Sequence, residues 1–396
     1  MISLDTALRT LNDHIQTLGA ERVPLTAAAG RILAEPVTAL RTQPPFAASA
    51  MDGYAVRASD LGGGVTCLTT VGESAAGHAS SRPLGAGEAM RISTGAPIPS
   101  GADQVVIQEN VSLQDDRIQL RDRSSPGNNI RPAGTDFRAG DTLLTQGDPL
   151  TPAALSLLAS AGLTELCLVR RPQVAILSTG DELVEPGEAT RPDQIINSLA
   201  PAVAAMVQNW GGVPRYIGIA RDTPEDVRNK IADASEADIL VTIGGASVGD
   251  HDHLRTVFKE MGGQTYFEKI AVKPGKPTWF GSLGGHWVLG LPGNPVSAMV
   301  MALLCLKPAL ARLSGTRHET VFVTTKLGGA LPANGPRETF VRARFDPATG
   351  LTSPLTNQDS SAASALVAAN CLIRRPADAK AAPKGASTEI VLLDHP

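Results

Sequence analysis

Hydrophobic positions near the start of the chain recur at helical spacing. Leu4, Leu8, Leu11, Ile15 and Leu18 fall along one face, with Ser3 as a candidate N-cap and Gly19 as the stop. From residue 23 to 40 the pattern changes to short β-like runs around Gly30, and then Pro44 and Pro45 break any regular element. Between there and about residue 138 the chain reads as β-rich, with Gly and Pro punctuation and modest strands at 104–108 and 117–120. Helical spacing returns at 151–162, where Thr151 is placed to cap, Pro152 to begin and Gly162 to end the helix. This pattern predicts an elongated N-terminal and linker domain from residues 1–45 and 140–171, in which the first helix and the helix at 151–162 pack together. A small β-domain, 46–139, is inserted between them.

From residue 172 to about 316 strands and helices alternate, which implies a doubly wound parallel sheet covered by helices on both faces. Its first strand, 174–177, runs into Ser178, Thr179, Gly180, Asp181 and Glu182. A helix at 197–210 stops at Gly211 and Gly212; a strand at 215–219 follows, then a helix capped near Asp222 or Thr223. The next strand carries the stretch that organises this half, DILVTIGGASVGDHD at 238–252. After it, 269–272 leads into Lys273-Pro274-Gly275-Lys276-Pro277, and 287–291 leads into Pro292-Gly293-Asn294-Pro295. Asn294 and Pro295 should open a long helix, which Pro308 should kink or restart. Glycine-bearing turns thus follow four apolar strands, and in a parallel sheet such turns share one edge, where ligands bind. Residues 317–396 read as β-strands (321–325, 339–345, 389–393) joined by Gly and Pro turns.

Charge and composition narrow the chemistry. The chain has 396 residues, enough for several cores, and its 39 acidic and 35 basic residues nearly balance. No basic run or basic-aromatic block calls for nucleic acid. Cys67, Cys167, Cys305 and Cys371 lie far apart without a C-x-x-C pair, so neither a zinc site nor a disulfide framework is indicated, and a reducing cytoplasm is expected. Asp5, Arg9 and Asp13 in the first helix argue against a signal peptide. The longest apolar helical run, 296–306, is broken by Lys307 and Pro308 and falls short of the roughly twenty residues that cross a bilayer, so no membrane partner is expected.

On the predicted edge, Ser178, Thr179, Ser247 and the turn amides around Gly180, Gly244, Gly245 and Gly249 offer neutral donors. Lys273 and Lys276 offer positive charge in a stiff proline frame, and Glu182, Asp222, Asp250 and Asp252 offer hard oxygen ligands. Paired carboxylates repel an anion unless a cation stands between them, so the mixture suits a phosphate-bearing ligand held with Mg²⁺. His251 and His253 flank Asp252 without a third ligand nearby and read as solvent-facing. No Ser-His-Asp order or reactive cysteine stands out.

The words SAMDGYA (49–55), RISTGAPIP (91–99), NIRPAGTD (129–136), STGDEL (178–183), GGASVGDHD (244–252), KPGKP (273–277) and LPGNPVSA (291–298), in that order, resemble the MoeA family of molybdopterin molybdenumtransferases. The same unit is similar to the E domain of gephyrin. That resemblance implies a central molybdopterin-binding α/β domain and a C-terminal β-barrel. It implies an enzyme that takes adenylylated molybdopterin and molybdate, uses a divalent cation, and releases AMP and molybdenum cofactor. Carried over by motif, the acidic residues important to the family fall on Asp52, Asp136, Glu182, Asp222 and Asp252, with Thr94 as polar neighbour; Glu182, Asp250 and Asp252 are the candidate Mg²⁺ ligands. Lys273 and Lys276 match the basic loop, Pro292, Asn294 and Pro295 shape the turn opposite, and Arg337 and Arg342 are candidate ligand contacts. One departure stands at Asp359-Ser360-Ser361, where the family has a glycine-flanked serine. An elongated homodimer is also implied, each site joining the β-domain of one subunit to the α/β domain of the other. A molybdopterin adenylyltransferase and other cofactor-pathway proteins are candidate partners. The alternatives are a scaffold of gephyrin type, which needs a further amino-terminal domain and linker, and a stand-alone adenylyltransferase, which needs little more than the α/β unit.

Overall fold

In the computed structural model, strand Gln173–Thr179 sends Val174 and Ile176 to one face of a sheet and Ala175 and Leu177 to the other, all fully buried. Burial on both faces is why this strand and Ile239–Ile243 read as unbroken apolar runs rather than alternating ones. The structure describes all residues except 65–66, 122–126, 246–252, 317–319 and 394–396. These fall into two units, one of Met1–Glu21, Gly30–Ala34 and Cys167–Pro396, the other of Arg22–Ala29 and Glu35–Leu166.

In the first unit, strands Val213–Ala220, Gln173–Thr179, Ile239–Ile243 and His286–Leu291 run parallel in that spatial order. Trp279–Leu283 and Gln264–Phe267 extend the sheet antiparallel. One face packs against helices Leu199–Asn209 and Pro295–Met301, the other against Pro224–Asp233 and His253–Glu260. Burying each Leu, Ile or Val side chain here contributes about 1.5–3 kcal/mol, so these two interfaces dominate the stability of the unit. In register, Thr179 lies beside Ala220, Ser178 beside Ile243, and Ile243 beside Leu291. The carboxyl ends of all four parallel strands therefore share one edge.

Three expectations change. The first helix, Leu4–His14, is capped by the Ser3 hydroxyl as expected, yet its stripe of Leu4, Ala7 and Leu11 is buried in the α/β core with Leu310 and Leu313. That apolar surface covers the whole stripe. Second, the strand before KPGKP is outside the α/β sheet. Only Val272–Lys273 is extended, and it pairs in parallel with Glu338–Asp346 of the C-terminal sheet; the fourth parallel strand is Val213–Ala220 instead. Third, Pro308 perturbs the long helix as expected, but the apolar run is longer than 296–306. Pro308 has no N–H for the carbonyl four residues back, and a π-helical segment, Ala302–Leu306, lies just before it, with the Lys307 N–H on the Ala302 oxygen. Pro295–Leu313 thus runs on for 19 residues at a mean hydropathy of 1.7, and 78% of it is buried inside the protein, which makes it a core helix.

The C-terminal strands close on themselves. Glu338–Asp346 pairs with Leu351–Pro354 on one side and Cys371–Arg375 on the other, and Val323–Leu327 and Ser387–Leu392 complete the ring. This five-strand barrel is filled by Leu327, Ala343, Cys371, Ile373 and Ile390. In the second unit, a mixed sheet runs in the order Gln104–Ile107, Gly53–Val56, Glu88–Ile92, Cys67–Ser74, Arg117–Leu120, Val111–Gln114. Tyr54, Val56, Leu68, Val106 and Ile118 form its core.

Candidate functional site

Two of the cavities in the first unit hold candidate residues. The first, about 450 Å³, lies beyond the carboxyl ends of the parallel strands and is lined by Thr179, Glu182, Asn197, Gly244 and Gly245, with the Pro292–Pro295 turn opposite. Gly244 (φ +88°) and Gly245 (φ +56°) both take left-handed backbone, and a Cβ on either would stand 2.8 Å from Thr179 atoms, the carbonyl oxygen and the hydroxyl respectively. Glycine is therefore what lets the two strand ends close around Thr179. The Thr179 hydroxyl is buried and has no hydrogen-bond partner among the described residues. A buried polar group left unpaired costs about 1–3 kcal/mol, so an atom of this kind on a cavity wall marks a place for a ligand's polar group.

The second cavity, about 720 Å³, lies between the KPGKP loop and the barrel. Lys273, Lys276, Arg337, Arg342 and Arg375 line it, and among the described residues no carboxylate does. Neither lysine has a carboxylate partner among the described residues. Arg342 is only 1% exposed; its Nη2 donates to the carbonyls of Asn357 (3.2 Å) and Asp359 (3.1 Å), while its Nε has no partner. Burial lowers the pKa of this guanidinium and the Asp359 charge partly restores it. Pro277 lines both cavities and is the wall they share. At the departure noted above, Asp359 accepts from both the Ser361 amide and hydroxyl, and Ser360 faces the cationic cavity.

The second unit holds a separate group. Asp52 Oδ1 accepts from the Thr94 amide at 2.7 Å and from its hydroxyl at 3.1 Å. That amide, then the hydroxyl, hold the exposed Asp52 carboxyl below its ordinary range. Gly53 is required beside it, because a Cβ there would sit 2.0 Å from the Val106 carbonyl oxygen. Gly95, next to Thr94, and Asp136 line a cavity of about 530 Å³ together with Arg131 and Phe46.

The candidate residues therefore sort by place. Thr179, Glu182, Gly244, Gly245, Pro292, Asn294 and Pro295 meet at the first cavity, with Gly180 in the same turn; Lys273, Lys276, Arg337 and Arg342 meet at the second. Ser178 is elsewhere: its hydroxyl is buried and donates to Asn197 Oδ1 instead of facing a ligand. Asp222 also stands apart from the lining. Its amide donates to Asp181 Oδ1 and its carboxylate accepts from the Asp181 amide, clipping two strand-end loops together. Ser247, Gly249, Asp250 and Asp252 lie outside the described residues. Asn197, Ile195 and Ile196 line the first cavity without having stood out in the sequence, since none belongs to a reactive residue type in a spaced motif.

Among the described residues, no three His, Cys, Asp or Glu side chains group to hold a metal. Mg²⁺ binds through one or two carboxylates plus phosphate oxygens, so Glu182, which lines the same cavity as Thr179, would suit such an ion together with a phosphate-bearing ligand.

Fold and cavities define a multidomain α/β protein with a ligand site beyond its parallel strands and a barrel-flanked cationic cleft. Residues 2–162 match the MoeA N-terminal region (domains I and II), 175–312 a probable molybdopterin-binding domain, and 324–393 the MoeA C-terminal region (domain IV). A molybdopterin molybdenumtransferase of Haemophilus influenzae is 40% identical over 321 residues, covering 80% of this chain and 79% of that one. Another, from Bacillus subtilis, is 33% identical over 99% of this chain and 94% of its own. The crystal structure of the molybdopterin biosynthesis MoeA protein from Pyrococcus horikosii superposes with a TM-score of 0.84 at 30% identity, covering 99% of both chains. The chain belongs to the MoeA family of molybdopterin molybdenumtransferases, enzymes of molybdenum cofactor biosynthesis.

Proposed function

We propose that this enzyme inserts molybdenum into adenylylated molybdopterin, taking molybdate as the second substrate and releasing AMP. The observation that carries this reading is the pair of adjoining cavities, one with an unpaired hydroxyl, a carboxylate and strand-end amides, the other with cations as its only charged residues among those described. Molybdate is a dianion, and Lys273, Lys276 and the buried Arg342 supply charge-assisted donors for its oxygens. The pterin with its phosphates lies at the strand ends, where Thr179 and the turn amides donate to it. Glu182 would hold Mg²⁺ against those phosphates, and the ion would neutralise charge as the phosphoanhydride breaks. Cleavage adds water across the P–O–P bond, leaving one phosphate on AMP and one on molybdopterin.

The test supplies purified protein with adenylylated molybdopterin and molybdate, with and without Mg²⁺. AMP and molybdenum-loaded cofactor formed in equal amounts, only with the cation, are expected. AMP release that ignores molybdate would overturn the reading. We further propose a homodimer whose sites each combine Asp52 of one subunit with Glu182 of the other. Mixed in equal amounts and allowed to exchange, inactive Asp52→Ala and Glu182→Ala chains should recover about a quarter of all sites. No recovery after verified exchange places both residues in one chain's site.

A further inference from the structure

Tyr216 takes no part in the chemistry above, yet its hydroxyl joins four segments of the α/β domain. It lies on the edge strand Val213–Ala220, donates to Glu185 Oε1 at 2.6 Å and accepts from Asn197 Nδ2 at 2.8 Å. Asn197 Oδ1 in turn accepts from Ser178 Oγ at 3.1 Å and from the Ala200 amide at 3.4 Å. Asn197 is 3% exposed and Ser178 0%, so these polar groups depend on one another for partners. Burial first, and the Glu185 carboxylate second, push the Tyr216 phenol well above its ordinary range, so it stays a neutral donor.

What this chain holds is the wall of the strand-end cavity. Ile195 and Ile196 line that cavity and are 59% and 48% exposed. They belong to no core cluster and are secured by two backbone bonds, Ile195 N–H to the Glu182 oxygen and Asn197 N–H to the Val184 oxygen, both 2.8 Å. Two neighbouring aliphatic side chains left to water beside a polar amide suit the face of a flat heterocycle, which would cover them.

We propose that the Glu185–Tyr216–Asn197–Ser178 hydrogen-bond chain positions the Ile195–Ile196 wall for a planar ring of the substrate, with Tyr216 as a positioning residue. This rests on the proposed function for the ring being a pterin. Tyr216 is 37% exposed, so losing the two hydrogen bonds of its hydroxyl from this part-buried chain is on the order of a tenfold effect. Tyr216→Phe keeps the ring and removes the hydroxyl. It should raise the KM for adenylylated molybdopterin about tenfold, with kcat and the molybdate dependence within about twofold and Tm unchanged. Amide hydrogen exchange at Ile195 and Asn197, measured without ligand, should quicken in the same variant. Glu185→Leu should act alike, and Glu185→Gln, which keeps an acceptor oxygen, should restore most of that loss. Unchanged exchange at the two amides overturns the positioning role whether or not the wild type binds a pterin. Faster exchange with unchanged KM removes the wall from ring recognition, and a wild type that binds no molybdopterin sinks the proposed function instead. A fall of kcat, molybdate response and Tm together would make Tyr216 merely structural.

Discussion

The strand-end cavity and the cleft beside it share Pro277 but nothing of their electrostatics. Among the described residues, Glu182 is the one charged residue lining the first, whereas five cations and no carboxylate line the second. A chain whose 39 acidic and 35 basic residues nearly cancel thus keeps its charges apart where they matter. Net charge describes the solubility of such a protein and says nothing about its sites. The contrast also assigns work: neutral donors and a carboxylate suit a ligand that brings its own phosphates and cation, and a cluster of cations suits a free oxyanion.

Replacing both lysines tests the contrast most severely. In a Lys273→Gln, Lys276→Gln double variant, losing two charge-assisted contacts should weaken molybdate binding roughly a hundredfold or more, while molybdopterin binding measured by calorimetry is retained. Equal losses for both ligands would merge the two cavities into one site. The mirror experiment is Glu182→Ala, expected to cut molybdenum insertion about ten- to a hundredfold with Tm preserved and molybdate affinity intact. A parallel drop in Tm would make Glu182 structural. Gly244→Ala should do something different again. With a left-handed φ and a Cβ 2.8 Å from the Thr179 oxygen, it should cost about 1–3 kcal/mol and lower Tm by a few degrees, distorting the first cavity and sparing the second.

Smallest in effect is a titration in the other unit. Because Asp52 is held below its ordinary range by Thr94, any contribution it makes to stability is fully present above the unfolded value near ~3.9 and is lost only as pH falls through the lower folded value. An NMR titration of its carboxyl should therefore have a midpoint below ~3.9. Thr94→Ala keeps the amide donor and should move the midpoint only part of the way back. A midpoint at the ordinary value would remove the Thr94 contact as a fixed feature of the unit.

Much of this was legible in the chain because it depended on local rules. Thr151 and Ser3 cap their helices through their hydroxyls, as their positions implied, and Asn294 stands at the start of its helix although its side chain makes no capping bond. The strand ends gathered where parallel strands dictate. The misplaced element, Val272–Lys273 at the start of KPGKP, shows the limit: an apolar run before a turn does not say which sheet will pair with it. Ser178 failed for a related reason. A hydroxyl at a strand end is a ligand donor or a structural one depending on a partner nineteen residues away, and Asn197 carries no signature that would announce it. Arg342 was readable as a candidate contact, but its burial and unsatisfied Nε come only from the barrel closing around it.

The short strand Val272–Lys273, paired with Glu338–Asp346, has a consequence for modular dissection. By sequence inheritance the chain breaks near residue 312 and resumes at 324. By hydrogen bonding, the loop that carries both lysines belongs to the far side of that border. A chimaera joined between the two regions would keep every motif and still lose the register that aims them, unless donor and recipient share the Val272↔Glu338 and Lys273↔Thr339 pairing. In this fold the unit of transplantation is the barrel together with its borrowed strand.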